Sequence, residues 1–276
     1  MDAMNDAVIV EAVRTPVGIG KPEKGALSGI HPVDLSAHVI DALISRVGIE
    51  PENVDDVIWG CVGQVGEQSS NIARNAALAA GLPESVTGVS VDRQCGSSQQ
   101  AVHFAAAAVM SGQMDVVIAG GVESMSRVPM FSNMAGGDGP FGPRMMSRYP
   151  DLVNQGISAE MIADQWNLSR AMLDEIAAES QQRAARATKD GLFDAEITAV
   201  EASDGPVSHD QGIRPDTTAT SLASLTPAFR EDGVVTAGNS SQISDGAAAV
   251  LVTTSARARE LGLTPMARLH SFAMAG

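Results

Sequence analysis

Segments typical of strands and of helices alternate regularly over the first 120 residues, and this alternation constrains the fold more than any other feature. Apolar, β-branched runs predict strands, and amphipathic or alanine-rich stretches predict helices. In chain order these segments are the strand 6–13, the helix 31–47, the strand 54–62, the helix 70–80, the strand 89–91, the helix 97–110 and the strand 115–119. The order favours an α/β fold, with a mainly parallel sheet and helices packed against it. Ligands are then expected at the carboxyl ends of the strands.

The composition fits this class and argues against several kinds of partner. A chain of 276 residues with 44% hydrophobic and 18% charged residues has enough apolar material for a large core. The net charge of −15 repels polyanions, so neither nucleic acid nor an anionic membrane surface is expected as a partner. No apolar run approaches the ~20 residues of a membrane-spanning helix. Two cysteines, together with an acidic start (1–6) that lacks a secretory or mitochondrial leader pattern, indicate a cytoplasmic protein.

The regular pattern breaks off after Gly121, which indicates a chain in three parts. We expect 1–120 to form the first part of a core domain, 121–235 to form an inserted loop domain, and 236–276 to return to the core. In the last two parts the sequence predicts helices over 158–166, 169–189, 221–225 and 255–261, and strands over 197–200, within 234–254 and over 266–273.

Cys95 lies where the predicted strand 89–91 turns into the predicted helix 97–110. The amino end of a helix carries partial positive charge and unpaired N–H groups, both of which favour a thiolate and therefore a nucleophile. Gly96 suits a tight turn in which the backbone approaches a substrate closely. The alternative is an inert buried cysteine, and the residues alone leave both interpretations open. Cys61 has no helix of its own, so we expect it to pack in the core.

No other residue pattern forms a recognisable site. No two of the five histidines have the spacing of metal ligands, so no metal site is expected. No glycine-rich phosphate motif follows a strand, which argues against a nucleotide-binding fold of that kind. His103 lies two helical turns from Cys95, about 12 Å along the axis, which is too far for it to act as the base of that thiol. The polar run 239–241 is either a simple turn or a group that binds an amide-containing ligand. The candidate cations for a phosphorylated ligand are Arg127, Arg144, Arg148 and Arg214.

Three segments resemble signature motifs of the thiolases and occur in the order expected for that family. They are VDRQCGSSQQA (91–101), GGVESMSRVP (120–129) and GNSSQISDGAAAVL (238–251). The resemblance implies an αβαβα layered fold and an acyl-CoA acyltransferase, in which Cys95 attacks a 3-ketoacyl-CoA, holds the shortened acyl group as a thioester and passes it to CoA. The reverse Claisen condensation uses the same intermediate. The resemblance also implies that CoA and acyl-CoA are substrates, that no cofactor is covalently bound, and that the protein is a homodimer or tetramer.

By the same resemblance, residues of the loop domain bind CoA. Arg214 and Ser221 correspond to residues on the adenine-nucleotide side, and Ser241 corresponds to a residue beside the pantetheine. The pair Asn154-Gln155 stands where many biosynthetic thiolases have His-Met. In this respect the chain resembles the branch that acts on bulkier acyl-CoAs, including steroid-derived ones.

The motifs that complete the thiolase site do not follow these segments. Asn-Glu-Ala-Phe, Gly-His-Pro and a later Cys-x-Gly, which supply a water-holding asparagine, the histidine base and the acid/base cysteine, have no counterpart here. The chain thus resembles the N-terminal core half (1–120), the loop domain (121–235), and the end of that half with the first strand of the other (236–276). We therefore expect a thiolase cut short, and the alternative is a non-catalytic CoA-binding or assembly module. A decarboxylating ketoacyl synthase of the same superfamily is disfavoured by the long insertion.

We expect residues 1–276 alone to catalyse little or no thiolysis. Without the histidine the thiolate depends on its helix alone, and without the second cysteine no residue protonates the departing enolate, each a loss of roughly 10²–10⁴ in rate. The rate of acetoacetyl-CoA thiolysis, measured for this chain beside a complete thiolase, tests the expectation. Equal rates would contradict it.

Overall fold

The structure is a computed structural model that describes residues 6–275, so the acidic leader lies outside it apart from Asp6. Most of the predicted helices and strands are confirmed to within a few residues. No helix in this described part of the chain is long and apolar enough to span a membrane. The elements are β1 (Val8–Arg14), β2 (Gly18–Ile19), α1 (Pro32–Val47), β3 (Asp56–Gly60), α2 (Ile72–Ala79), β4 (Thr87–Val91), α3 (Ser97–Ser111), β5 (Val116–Ser124), α4 (Pro143–Arg148), α5 (Gln155–Gln165), α6 (Arg170–Lys189), β6 (Val200–Ala202), β7 (Gly205–Val207), α7 (Ala219–Ala223), β8 (Ser244–Thr253), α8 (Ser255–Glu260) and β9 (Ala267–Arg268).

The chain divides into two compact units. The core unit comprises the described residues up to Asn133, the segment Glu196–Gln211 and the residues from Ser244 on. The insert unit comprises Met134–Ala195 and Gly212–Ile243, and it contains α4 to α7. Each unit has its own set of internal contacts and is described by itself below.

Parts of the segment 121–235 belong to the core unit. The strand predicted to end at residue 119 is longer in the structure. β5 continues to Ser124, because β8 pairs with it along its whole length. The short strands β6 and β7 pair with each other, and the guanidinium of Arg14 lies 2.7 Å from the Asp210 carboxylate. The division of the chain at 120 and 235 stays a prediction.

One seven-stranded sheet forms the centre of the core unit. Its order is β4-β3-β5-β8-β1-β9, and β2 pairs with β8. β3 pairs in parallel with β4 and with β5, whereas β8 lies antiparallel between β5 and β1. The strands β1, β3, β4 and β5 therefore run in one direction, which confirms the α/β fold with a mainly parallel sheet.

The strand predicted over 266–273 is much shorter in the structure. Only β9 is extended and paired, two residues that lie antiparallel to β1. Beyond it the side chains of Phe272 and Met274 are exposed, and no described residue after Arg268 pairs with a strand. The predicted strand 197–200 is likewise displaced to β6, although Ile197 forms a single bridge with Arg14.

Apolar layers cover both faces of the sheet. Along β3 the alternation of a strand places Val57 and Trp59 in the layer of α1 and α2, and Ile58 in the layer of α3. The α1 boundaries follow from its caps, because the His31 side chain accepts the Val33 N–H at its start and Gly48 takes a left-handed φ of 70° at its end. α3 packs through small side chains, namely Ala101, Ala105 and Ala106.

The amino end of α3 lies directly against two glycines of the sheet. Gly60 of β3 pairs with Gly121 of β5. A Cβ atom added to Gly60 would overlap the backbone of Ser97 and Ser98, and one added to Gly121 would overlap the Ser98 hydroxyl. Only glycine permits so close an approach, and this contact fixes where α3 begins.

We expect Gly60→Ala and Gly121→Ala each to lower the free energy of unfolding by about 1–3 kcal/mol, because the added methyl group meets packed atoms. Gly29→Ala is the matched control, since nothing lies within 4 Å of a Cβ atom at that position. Its effect is expected to stay within about 0.5 kcal/mol. Denaturant unfolding followed by circular dichroism measures all three, and equal stabilities would contradict the close packing.

Candidate active site

Cys95 lies in the turn that joins β4 to α3, just beyond the carboxyl end of β4. α3 begins at Ser97, with Gly96 as its N-cap residue. The predicted place of Cys95 between a strand and a helix is therefore confirmed. The side chain is exposed, so the interpretation of Cys95 as a buried cysteine is wrong, and its role as a nucleophile stays a prediction.

Polar groups within the turn hold Cys95 in place. The Asp92 carboxylate accepts the Gln94 N–H at 2.7 Å, and the Ser97 hydroxyl accepts the Arg93 N–H at 3.0 Å while it donates to the Gln94 carbonyl at 2.6 Å. Gln94 has a φ of 48°, in the left-handed region. This conformation costs a non-glycine residue roughly 1–2 kcal/mol, so the surrounding contacts must compensate for it. The turn therefore presents Cys95 in a defined conformation.

A partly buried carboxylate, that of Glu123, joins the carboxyl ends of β3 and β5. Glu123 accepts the N–H groups of Val62 and Gly63, at 2.9 and 3.2 Å. It also accepts the Gln68 amide N–H at 2.7 Å, and the Gln68 carbonyl oxygen accepts the Ser124 N–H at 2.8 Å. Gln68 is fully buried, and its bond to the Ser124 N–H is shielded from water, whereas the bonds to the Glu123 carboxylate are partly buried. No role was predicted for Glu123 or Gln68 from the sequence. Glu123 lies in the family motif 120–129, which could have indicated one, whereas no pattern marked Gln68.

The second cysteine, Cys61, belongs to this buried network and packs in the core as predicted. Burial raises the pKa of the Cys61 thiol to about 12, and the negative charges of Glu123 and Asp92 act in the same direction. The thiol receives a hydrogen bond from the Gln68 amide at 3.4 Å. Cys61 is therefore a neutral, protected thiol near pH 7, unlike the exposed Cys95.

The arginines proposed as phosphate ligands lie in different environments. Arg127 forms a two-point ion pair with Glu67, at 2.5 and 2.9 Å, and donates to the Ser28 carbonyl at 2.9 Å. The guanidinium lowers the pKa of the Glu67 carboxyl, and it is committed to structure rather than to a ligand. Arg144 and Arg148 are exposed on the short helix α4.

The three residues expected to bind CoA all belong to the insert unit, whereas Cys95 belongs to the core unit. Arg214 and Ser241 are exposed. The Arg214 N–H donates to the Gln181 side chain at 2.8 Å, which leaves the guanidinium out of that contact.

Ser221 has a structural role that was not predicted from the sequence. It forms a capping box with Thr218 at the start of α7: each side chain accepts the other residue's N–H at 3.1 Å. The Ser221 hydroxyl also donates to the Thr218 carbonyl at 2.8 Å. This cap could have been predicted, because Thr218 and Ser221 are hydroxyl residues three positions apart and the apolar Leu222 follows them.

The histidines are dispersed over the described residues. His38 lies 3.2 Å from the Thr198 hydroxyl, and the His103 ring packs edge-on against Phe272 with the centroids 5.1 Å apart. Between residues 6 and 275 no group of three histidine, cysteine or acidic side chains could hold a metal ion. Neither histidine therefore belongs to a metal site within this part of the chain.

Residues 7–256 match the family described as the thiolase N-terminal domain. The chain belongs to the thiolase family. A 3-ketoacyl-CoA thiolase from Colwellia psychrerythraea is 45% identical over 281 residues, covering 99% of this chain and 71% of that protein. The steroid 3-ketoacyl-CoA thiolase FadA6 from Mycobacterium tuberculosis is 46% identical over 276 residues, covering 97% and 66%. The crystal structure of the Bacillus anthracis acetyl-CoA acetyltransferase matches with a TM-score of 0.84 at 38% identity, covering 97% and 70%.

As a thiolase, the protein is an acyl-CoA acyltransferase, for which acyl-CoA and CoA are substrates rather than bound cofactors. The first family motif surrounds Cys95 and the start of α3, and the second covers the end of β5 and the residues after it; both belong to the core unit. The third motif begins in the insert unit and ends in β8, the neighbour of β5 in the sheet.

We expect iodoacetamide at pH 8 to modify Cys95 in the folded thiolase and to leave Cys61 unmodified, because only the first thiol is exposed and the second has a raised pKa. Peptide mass spectrometry locates the label. The Cys95→Ser variant is the control and should take up label only after denaturation. Equal labelling of both cysteines in the folded protein would contradict the assignment.

Proposed function

We propose that Cys95 is the acyl-accepting nucleophile of this thiolase. The observation that supports this proposal is the contrast between its two cysteines: Cys95 is exposed in a fixed turn before α3, whereas Cys61 is buried. Nucleophilic cysteines sit in partly exposed positions near helix amino ends, and structural cysteines sit in the core. The site also lies beyond the carboxyl ends of parallel strands, where ligands bind in α/β folds.

The proposed reaction proceeds through a thioester. The Cys95 thiol loses its proton to solvent, its sulfur attacks the 3-keto carbon of the substrate, and the bond between C2 and C3 then breaks. The electron pair of that bond stays on C2, which takes up a proton from solvent and leaves as acetyl-CoA, while the shortened acyl group stays on sulfur. The CoA thiolate next attacks this thioester, forms a new acyl-CoA and releases the Cys95 thiolate. The amino end of the 15-residue helix α3 supplies partial positive charge beside the sulfur, which carries negative charge before the first step and again after the second.

In our proposal Arg214, Ser221 and Ser241 bind CoA. Arg214 offers an exposed guanidinium, the group that suits phosphate oxygens. Ser221 and Ser241 are exposed hydroxyl residues, the first held by its cap and the second close to a turn. The insert unit would then be the CoA-binding domain, corresponding to the loop domain expected over 121–235.

We further propose a 3-ketoacyl-CoA substrate of fatty-acid or steroid degradation, in a cytoplasmic homodimer or tetramer. The names of the two relatives from Colwellia and Mycobacterium support this substrate class. The Asn154-Gln155 pair, which stands in place of His-Met, supports a bulky acyl group through the family resemblance. In the structure the Asn154 side chain caps α5 by accepting the Ile157 N–H at 3.0 Å, so this pair also determines how that helix begins.

Acyl transfer from acetyl-CoA to Cys95 is the sharpest test, because thioester exchange breaks no carbon–carbon bond and requires no enolate. We expect intact-mass analysis to show a single acetyl adduct that forms in time, that free CoA removes, and that peptide mapping places on Cys95. Cys61→Ser should form it and Cys95→Ser should not. No adduct despite CoA binding would overturn the nucleophile assignment and favour a non-catalytic CoA-binding module.

A further inference from the structure

A buried carboxylate, Asp174, occupies the centre of a hydrogen-bond network in the insert unit. Asp174 lies on α6 and is only 1% exposed. One of its oxygens accepts the Arg170 guanidinium at 2.7 Å, and the other accepts the Asn239 amide at 3.0 Å. A buried charge is costly unless it is paired and hydrogen-bonded, so both partners are needed to keep Asp174 in place.

The first partner fixes the helix that carries Ser221. Arg170 donates to the carbonyl of Leu222 at 2.6 Å and to that of Leu225 at 2.9 Å, beside its bond to Asp174. These carbonyls lie at the carboxyl end of α7, where a cation is favourable. α7 has five residues, too few for a stable helix by itself, so its position depends on such contacts.

The second partner fixes the loop that leads to Ser241. The Asn239 side-chain oxygen Oδ1 accepts the Thr236 N–H at 2.7 Å. The side-chain NH₂ group of Asn239 donates to the Val234 carbonyl at 3.1 Å as well as to Asp174. Asn239 is thus the residue that folds the turn and also the residue that attaches it to α6. Ser241 follows two positions later.

The same helix holds the segment of Arg214 by separate contacts. Gln181 of α6 accepts the Arg214 N–H at 2.8 Å. The Gln242 amide donates to the Gly212 carbonyl at 2.8 Å, so the segment before Arg214 also touches the segment after Ser241. α6 is therefore attached to all three segments that carry the proposed CoA ligands.

We propose that Asp174 is a positioning residue for CoA binding, with Arg170 setting the Ser221 helix on the nucleotide side and Asn239 setting the Ser241 loop on the pantetheine side. The inference rests on the proposed function, because it assumes that these serines contact CoA. It adds that one buried carboxylate links the two parts of the CoA site. Loss of one partner is then expected to affect one part of the ligand more than the other.

Calorimetric titration of the whole chain with CoA and with pantetheine tests this division. Arg170→Gln should weaken CoA binding about tenfold, on the order of the 1–2 kcal/mol of a charge-assisted contact, and leave pantetheine affinity within about twofold. Asn239→Ala should weaken both ligands by similar factors, and Asp174→Asn should weaken CoA at least as much as Arg170→Gln. Arg170→Lys should recover part of the loss. Arg183→Gln is the control, since Arg183 lies on the same helix in an exposed ion pair with Glu179. This variant should bind CoA and pantetheine with wild-type affinity.

The outcomes separate this inference from the proposed function. Wild-type protein that does not bind CoA overturns both. If the wild-type protein binds CoA, and the folded Arg170→Gln and Asn239→Ala variants bind CoA and pantetheine with the same affinity as wild type, only the positioning role is overturned. Equal weakening of CoA and pantetheine in Arg170→Gln also overturns it, because that result indicates a general disturbance of the insert unit. Circular dichroism establishes folding, and if Asp174→Asn does not fold, the two partner variants decide.

Discussion

The close contact between α3 and the sheet is the constraint on which the candidate site depends. Two paired strands pass beneath the first turn of the helix with glycine at the point of contact, and the alanines further along the helix are buried against the same face of the sheet. Close-packed interiors have few voids into which neighbouring side chains could shift, so the position of the helix relative to the sheet is fixed by this contact. The cysteine before the helix owes its position to this contact, although it takes no part in the contact itself.

Polar groups then complete what the packing begins. Glu123 and Gln68 tie two strand ends together beside the cysteine turn, and Glu160 plays a similar part in the insert unit, where its buried carboxylate accepts the N–H groups of Val234 and Val235 at 2.9 Å. Charged side chains inside a protein are tolerated when each oxygen has a donor. In both units these carboxylates accept hydrogen bonds from backbone N–H groups that lie outside the helices and strands.

Much of the fold could be predicted from local sequence, and the limits have physical causes. α1 was predictable because Pro32, its apolar face and Gly48 mark its start, side and end within one short stretch. The antiparallel direction of β8 was not, because it follows from pairing with strands that lie more than 100 residues away. The place of Cys95 between a strand and a helix was predicted from its neighbours alone.

The details of the candidate sites were less accessible. The left-handed conformation of Gln94 has no sequence marker, since glutamine is not a residue that usually adopts it. The bond between Asp174 and Asn239 joins residues 65 positions apart. A family resemblance can point to Ser221, but the cap that occupies its hydroxyl depends on how α7 begins in three dimensions.

That cap limits which chemical group can bind at Ser221. A serine hydroxyl has one proton and two lone pairs. The proton is directed at the Thr218 carbonyl and one lone pair accepts the Thr218 N–H, so a single lone pair is left. A partner that binds without opening the helix cap must therefore donate a hydrogen bond, as the amino group of adenine or a bridging water does. A phosphate oxygen can only accept, and it would find its donor in a guanidinium such as that of Arg214.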